Sequence, residues 1–115
     1  VVLWNHGKYE WPKILSPESI ALMSYPHIKS GVLSTQVEGM GFGLGVGVVM
    51  DAEKTILIDK ENDFFWSGFY GTNFFVSPQT GLVGVIMSQN QPPPSSPWPG
   101  SFGVFIAPAF AFLGI

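Results

Sequence analysis

The sequence predicts an α+β domain in which an antiparallel sheet is flanked by helices. Strand-like stretches near 41–50, 62–68, 73–77 and 82–88 are divided by short turn segments. Ahead of them, "LSPESIALMSYP" carries both the start and the stop signals of a helix. The apolar content, 46% of 115 residues, is enough for a packed core and argues against disorder.

Residues 1–15 bring aromatic and apolar side chains around Gly7 and Pro12, with no clear period. The first defined element is the helix over 17–25. Ser16 is placed to cap its N-terminus, Pro17 suits the first helical position, and Glu18 faces the positive end of the dipole. Ile20, Leu22 and Met23 supply the apolar face. Pro26 disfavours helical geometry at Tyr25 and ends the element.

In "GMGFGLGVGVVMD" the glycines fall at 39, 41, 43, 45 and 47. A period of two is a strand period. It puts the glycines on one face and Met40, Phe42, Leu44, Val46 and Val48 on the other. A bare face of this kind admits another backbone or a helix at close range. The dinucleotide fingerprint requires a wider gap before its last glycine, so a phosphate loop is disfavoured.

The next segment, "DAEKTILIDKEND", gathers most of the acidic residues around Ile56–Ile58. Asp59, Glu61 and Asp63 alternate as at the start of a calcium loop, but Phe64 stands where that loop needs glycine. A solvated hairpin region is expected, with no metal and no cofactor. Two strands follow, Phe74–Val76 and Leu82–Met87, joined by Pro78-Gln79-Thr80-Gly81, with Gly81 suited to positive φ. "LVGVIM" is nearly continuous in apolar residues, the pattern of a strand covered on both faces.

"QPPPSSPWPG" breaks the pattern as an extended connector. Its P-x-x-P, Pro94 to Pro97, lacks the flanking basic residues of a recognition motif. The tail from Phe102 is apolar, too short to span a bilayer and interrupted by Pro108, so no transmembrane segment is expected. Residues 1–91 thus read as the folded part and 92–115 as a connector with an apolar tail.

Composition narrows the function. Charged residues make up 11%, and the basic ones are five scattered lysines, Lys8, Lys13, Lys29, Lys54 and Lys60, with a net charge of −3. Nucleic acid would call for a clustered basic face. The absence of cysteine excludes disulfides and zinc–thiolate sites. His6 and His27 have no partner at metal or triad spacing. Low charge with high apolar content suggests that some surface meets further protein, so the chain reads as a C-terminal piece of a larger domain. The cellular compartment is left open.

The stretch "DFFWSGFYGTNFFVSPQTGLVGVIMSQN", residues 63–90, carries the most information. Trp66-Ser67-Gly68 closes one strand, Phe69-Tyr70-Gly71-Thr72 follows, then Phe74-Phe75-Val76-Ser77-Pro78 and an apolar run ending at Gln89. This order resembles the third conserved box and following strands of the serine β-lactamase and penicillin-binding-protein superfamily. It is nearest to the family VIII carboxylesterases, where Trp-x-Gly or His-x-Gly replaces Lys-Thr-Gly. "ILSPESIALM" and "GFGLGVGVVM" resemble the helix and glycine-bearing strand ahead of that box. The resemblance spans roughly residues 13–90. Ser77 departs from it, standing where the family carries Asp before Pro78, and the tail after Pro92 does not resemble the family's C-terminal helix.

The resemblance implies a serine hydrolase that forms an acyl-enzyme on an ester, with no cofactor. Its Ser-x-x-Lys and Tyr boxes lie N-terminal to this region, and no serine here has a lysine three residues on. The chain alone is therefore expected to be inactive and to require the N-terminal part of its own domain. The backbone N–H of Phe69 corresponds to an oxyanion donor. Gly68 would let the carbonyl approach the strand, while Trp66, Ser67 and Tyr70 would contact substrate. An indole in place of lysine favours a neutral ester over an acidic lactam. Three alternatives stand beside this reading: a β-lactamase or D-Ala-D-Ala peptidase, a non-catalytic binding domain of the same fold, or Trp66 and Phe69 as ordinary core aromatics.

Overall fold

The computed structural model describes residues 3, 5, 7, 13–29, 38–55, 60–89, 108 and 111–114. Its elements are α1 (Pro17–Met23), β1 (Met40–Phe42), β2 (Gly47–Val49), β3 (Phe64–Ser67), β4 (Asn73–Ser77) and β5 (Leu82–Ile86). The strands form one sheet in the order β1-β2-β3-β4-β5, and every neighbouring pair is antiparallel. Each connection is therefore local, and the sheet is a meander.

Helix α1 starts as its sequence dictates. Ser16 is extended (φ −74°, ψ 153°), and its Oγ accepts from the Ser19 N–H at 3.0 Å. Pro17 opens the helix without an N–H to satisfy. The helix stops at Met23, short of the expected 25: Ser24 makes the last i→i−4 bond, and the Leu22 and Met23 carbonyls are taken by His27 and by the Leu44 N–H. The Ser24 N–H and Oγ both bond Ile20 O (3.0 and 2.9 Å), and His27 Nε2 donates to Leu22 O at 2.7 Å. Ile20 is buried, whereas Leu22 is exposed and adds nothing to the apolar face.

The glycine-rich stretch is not the single strand over 41–50 that its period suggests. It folds back on itself, pairing Met40 with Val49, Gly41 with Val48 and Phe42 with Gly47. The Gly43 N–H donates to Val46 O at 2.8 Å, and Gly45 takes φ +85°. Positive φ at one glycine is enough to reverse the chain, and a reversal overrides the face assignment that strict alternation implies. The close approach expected of the glycines does occur. A Cβ on Gly41 would lie 2.8 Å from Ile28 O, and one on Gly43 would strike Met23 O. The segment after α1 packs against this hairpin, with reciprocal Ile28–Phe42 backbone bonds of 3.0 and 2.8 Å.

Both faces of the sheet carry buried apolar residues. Val46, Val48, Phe64 and Val76 form one cluster, against which Leu3 and Met23 pack, so α1 is tied to the sheet as expected. Val49, Phe65 and Phe75 form the other, with Met40, Ala52, Leu82 and Ile86 around them. The second cluster contains a cross-strand row, Gly47–Phe65–Phe75–Gly84. The Phe65 ring lies 2.8 Å from where a Gly47 Cβ would stand, and the Phe75 ring fills the same space at Gly84. Each ring leans over a neighbouring glycine, and the glycines give the aromatics a floor.

Strand β5 departs from its expected burial on both faces. Leu82, Gly84 and Ile86 are half-buried, while Val83, Val85 and Met87 are exposed, Met87 to 80%. It is the edge of the sheet, so its second face lies open despite its apolar sequence. The turn before it forms as expected: the Gly81 N–H donates to Ser77 O at 2.9 Å, and Gly81 has φ +73°.

The acidic segment turns one carboxylate inward. Asn62 adopts φ +69°, tolerated by its short side chain, and Asp63 is 2% exposed. Asp63 Oδ2 accepts from the Lys60 N–H at 3.0 Å, and burial pushes its carboxyl above the ordinary value. Residues 56–59, the remaining part of the calcium-like pattern, lie outside the described residues. So do the P-x-x-P at 94–97 and most of the tail, of which 111–113 are helical. No helix among the described residues is long and apolar enough to cross a membrane.

Candidate functional site

Trp66-Ser67-Gly68 sits where β3 runs into its turn. The Gly68 N–H donates to Thr72 O (2.7 Å), and the Gly71 N–H donates to Gly68 O (3.0 Å). Gly71 has φ +84°, whereas Phe69 and Tyr70 do not have positive φ. This is the pattern of a type I turn closed by a glycine bulge, a common three-residue hairpin loop. It explains Gly71, a residue whose role the sequence did not single out.

Phe69 and Tyr70 occupy the tip of that turn. Both are exposed, Phe69 to 69%, with their rings edge to face at 5.3 Å. The Phe69 N–H makes no hydrogen bond among the described residues. The i→i+3 bond of a type I turn does not use the N–H of its first central residue, so the geometry offers a donor without needing special strain. A bond from further along the chain steadies the tip: Ser88 Oγ donates to Tyr70 O at 2.9 Å, from just beyond β5.

Beside the turn lies an apolar groove of ≈ 400 Å³, lined by Trp66, Ser67, Gly68, Thr72, Asn73, Phe74, Val85 and Met87. Register explains its make-up. Trp66 pairs with Phe74, and Phe74 with Val85, so the three side chains form one row across β3, β4 and β5. Trp66 is 41% exposed, and the Phe42 ring meets it edge-on at 4.9 Å. The groove is thus a strip of the open sheet face, walled by an indole that the core holds on one side only.

Gly68 is more crowded than the sequence suggests. A Cβ there would run into Thr72 Oγ1. The space expected for a substrate carbonyl is shared with this chain's own hydroxyl. Of the expected site residues, Trp66, Ser67 and Gly68 line the groove. Phe69 and Tyr70 sit on the adjoining turn, and Tyr70 is not part of the lining. Thr72, Phe74, Val85, Met87 and Ser88 were missed. For Val85 and Met87 the signal was strand periodicity, since Val83, Val85 and Met87 share one face of any strand; nothing in the sequence marked the other three.

No charged side chain among the described residues lines the groove. Among the described residues, no cluster of His, Asp or Glu could hold a metal. The carboxylates with clear shifts lie elsewhere. Glu18 is lowered by its own backbone N–H and then by Ser16 at the helix start, and Asp51 is lowered by its hydrogen bond with Lys54. Lys54 Nζ lies 3.0 Å from Asp51 Oδ2 at the surface.

No protein-family model and no curated protein matches the sequence. Among solved structures the chain is similar to "EstCE1, a hydrolase with promiscuous acyltransferase activity", with 28% identity and a TM-score of 0.74. The likeness supports a β-lactamase-like esterase domain. It covers 94% of this chain and 26% of EstCE1, so the chain spans about a quarter of that hydrolase.

Proposed function

We propose that this chain is the oxyanion-side portion of a serine hydrolase of the carboxylesterase type. Likeness to a hydrolase over 94% of the chain supports hydrolase-type function. The observation that carries the finer reading is the free Phe69 N–H on a braced turn, directly beside an apolar, uncharged groove. A serine supplied by sequence outside these residues attacks the ester carbonyl carbon, and a neighbouring Lys with Tyr takes its proton. The Phe69 N–H and the N–H of that serine hold the resulting oxyanion. The C–O bond to the alcohol breaks, the alcohol leaves with the proton, and water clears the acyl group. Trp66 and the Phe74–Val85 row bind the ester's hydrocarbon. An acidic lactam finds no cation among the described lining residues, which disfavours the β-lactamase reading.

Backbone chemistry supplies the test. Phe69 holds the first central position of its turn, where proline is favoured. In the complete enzyme, Phe69→Pro removes the N–H while keeping the turn, and Phe69→Ala removes only the side chain. Loss of one oxyanion donor typically costs about 10²–10³ in turnover. That loss is expected for Phe69→Pro, with near-normal turnover for Phe69→Ala. Equal activities for the two variants, both folded, would remove Phe69 from the site.

A further inference from the structure

Resting on the ester-hydrolase reading, we infer that Thr72 Oγ1 is a substrate-binding hydroxyl that recognises an oxygen in the acyl chain, close to the scissile carbonyl. Three observations meet at this atom. Thr72 lines the groove, between Trp66 and Gly68 on one strand and Phe74, Val85 and Met87 on the others. Its hydroxyl lies over Gly68, in the space a Cβ would need. It makes no hydrogen bond among the described residues, although Thr72 is half-buried and its backbone carbonyl is bonded to the Gly68 N–H.

A threonine at a strand end ordinarily turns its hydroxyl to water or to a nearby carbonyl. Here the hydroxyl lies above Gly68 in a mostly apolar groove. Gly68, over which it lies, directly precedes Phe69, whose N–H is assigned to the oxyanion. A carbonyl bound at the Phe69 N–H whose chain enters the groove would pass its α and β atoms beside Thr72. A hydroxyl both donates and accepts, so it suits an ether, keto or hydroxyl oxygen at those positions. Gly68 gains a role distinct from direct substrate clearance, because its missing side chain makes room for this hydroxyl. The substrate class narrows to neutral esters with an apolar chain and one oxygen near the carbonyl.

Two esters of matched shape read this out in the complete enzyme: p-nitrophenyl methoxyacetate and p-nitrophenyl butyrate, which differ by one oxygen for one methylene. The quantity is the ratio of their kcat/KM values on a single preparation, which cancels the folded fraction; comparing each variant's ratio with the parent's cancels the intrinsic reactivity of the esters. Thr72→Val keeps the side-chain shape and removes the hydroxyl. It is expected to lower the ratio about 3- to 10-fold, the range of one neutral hydrogen bond. Thr72→Ser, which keeps the hydroxyl, is expected to stay within about twofold of the parent, a margin well inside that range. An unchanged ratio in Thr72→Val, or an equal fall in both variants, overturns the assignment while leaving the ester reading intact. Failure of the parent enzyme to turn over either ester overturns both.

Discussion

Asp63 shows how one side chain can be set against its surroundings. It is buried beside Ser77, which is 0% exposed, yet Asp63 Oδ1 and Ser77 Oγ each lack a hydrogen bond of normal geometry. Burial raises the Asp63 carboxyl from its ordinary 3.8, outweighing the downward pull of the Ser77 hydroxyl and the Lys60 N–H. The folded chain therefore holds this proton more tightly than the unfolded chain does. Its stabilising contribution is complete below about pH 3.8 and is lost as pH rises through the folded value. Asp63→Asn cannot ionise, still offers an oxygen to the Lys60 N–H, and adds an N–H for Ser77. Relative to the parent it should be more stable at pH 7 than at pH 3.5. Melting temperatures of both proteins at both pH values test this, and a pH-independent difference would rule it out. None of this was legible in the sequence. There Asp63 looked like one of several surface carboxylates, because alternation says nothing of which acid turns inward.

At the scale of elements, local signals were read well and reversals badly. Ser16-Pro17 and Gly81 each act through their own backbone geometry, and both appear where expected. The glycine stretch misled because spacing alone cannot distinguish a long strand from a tight hairpin with glycines in both arms. What separates them is Gly45 at positive φ and the Gly43–Val46 bond, a local turn that the alternating spacing does not reveal. The row Gly47–Phe65–Phe75–Gly84 makes a testable claim about the sheet. By strand preference alone, Gly84→Val should stabilise β5. The Phe75 ring already fills the Cβ position at Gly84, so overpacking should dominate and cost about 1–3 kcal/mol. Denaturant unfolding measures it, and pairing the change with Phe75→Leu should recover part of the loss. A stabilised Gly84→Val would show that the ring does not need the glycine.

For the whole molecule, an antiparallel meander with cores on both faces leaves one strip uncovered, and that strip is the candidate site. Trp66 on β3 and Val85 and Met87 at the β5 edge are exposed together on one face of the sheet. Their order in the sequence and the resemblance built on Trp66-Ser67-Gly68 pointed to this end of β3, whereas the contribution of β5 required the register to be seen. The same layout sets an expectation for the 115-residue chain by itself. It presents an unbonded Phe69 N–H beside an apolar groove, but no serine in it is followed three residues later by lysine. Binding without a nucleophile and its base does not turn over ester. The purified chain should therefore leave p-nitrophenyl acetate at the buffer hydrolysis rate. Sustained turnover abolished by changing one of its own serines, Ser67 or Ser88 beside the groove being the first to try, would place the nucleophile inside this chain. It would also replace the proposed division of labour with a self-sufficient site.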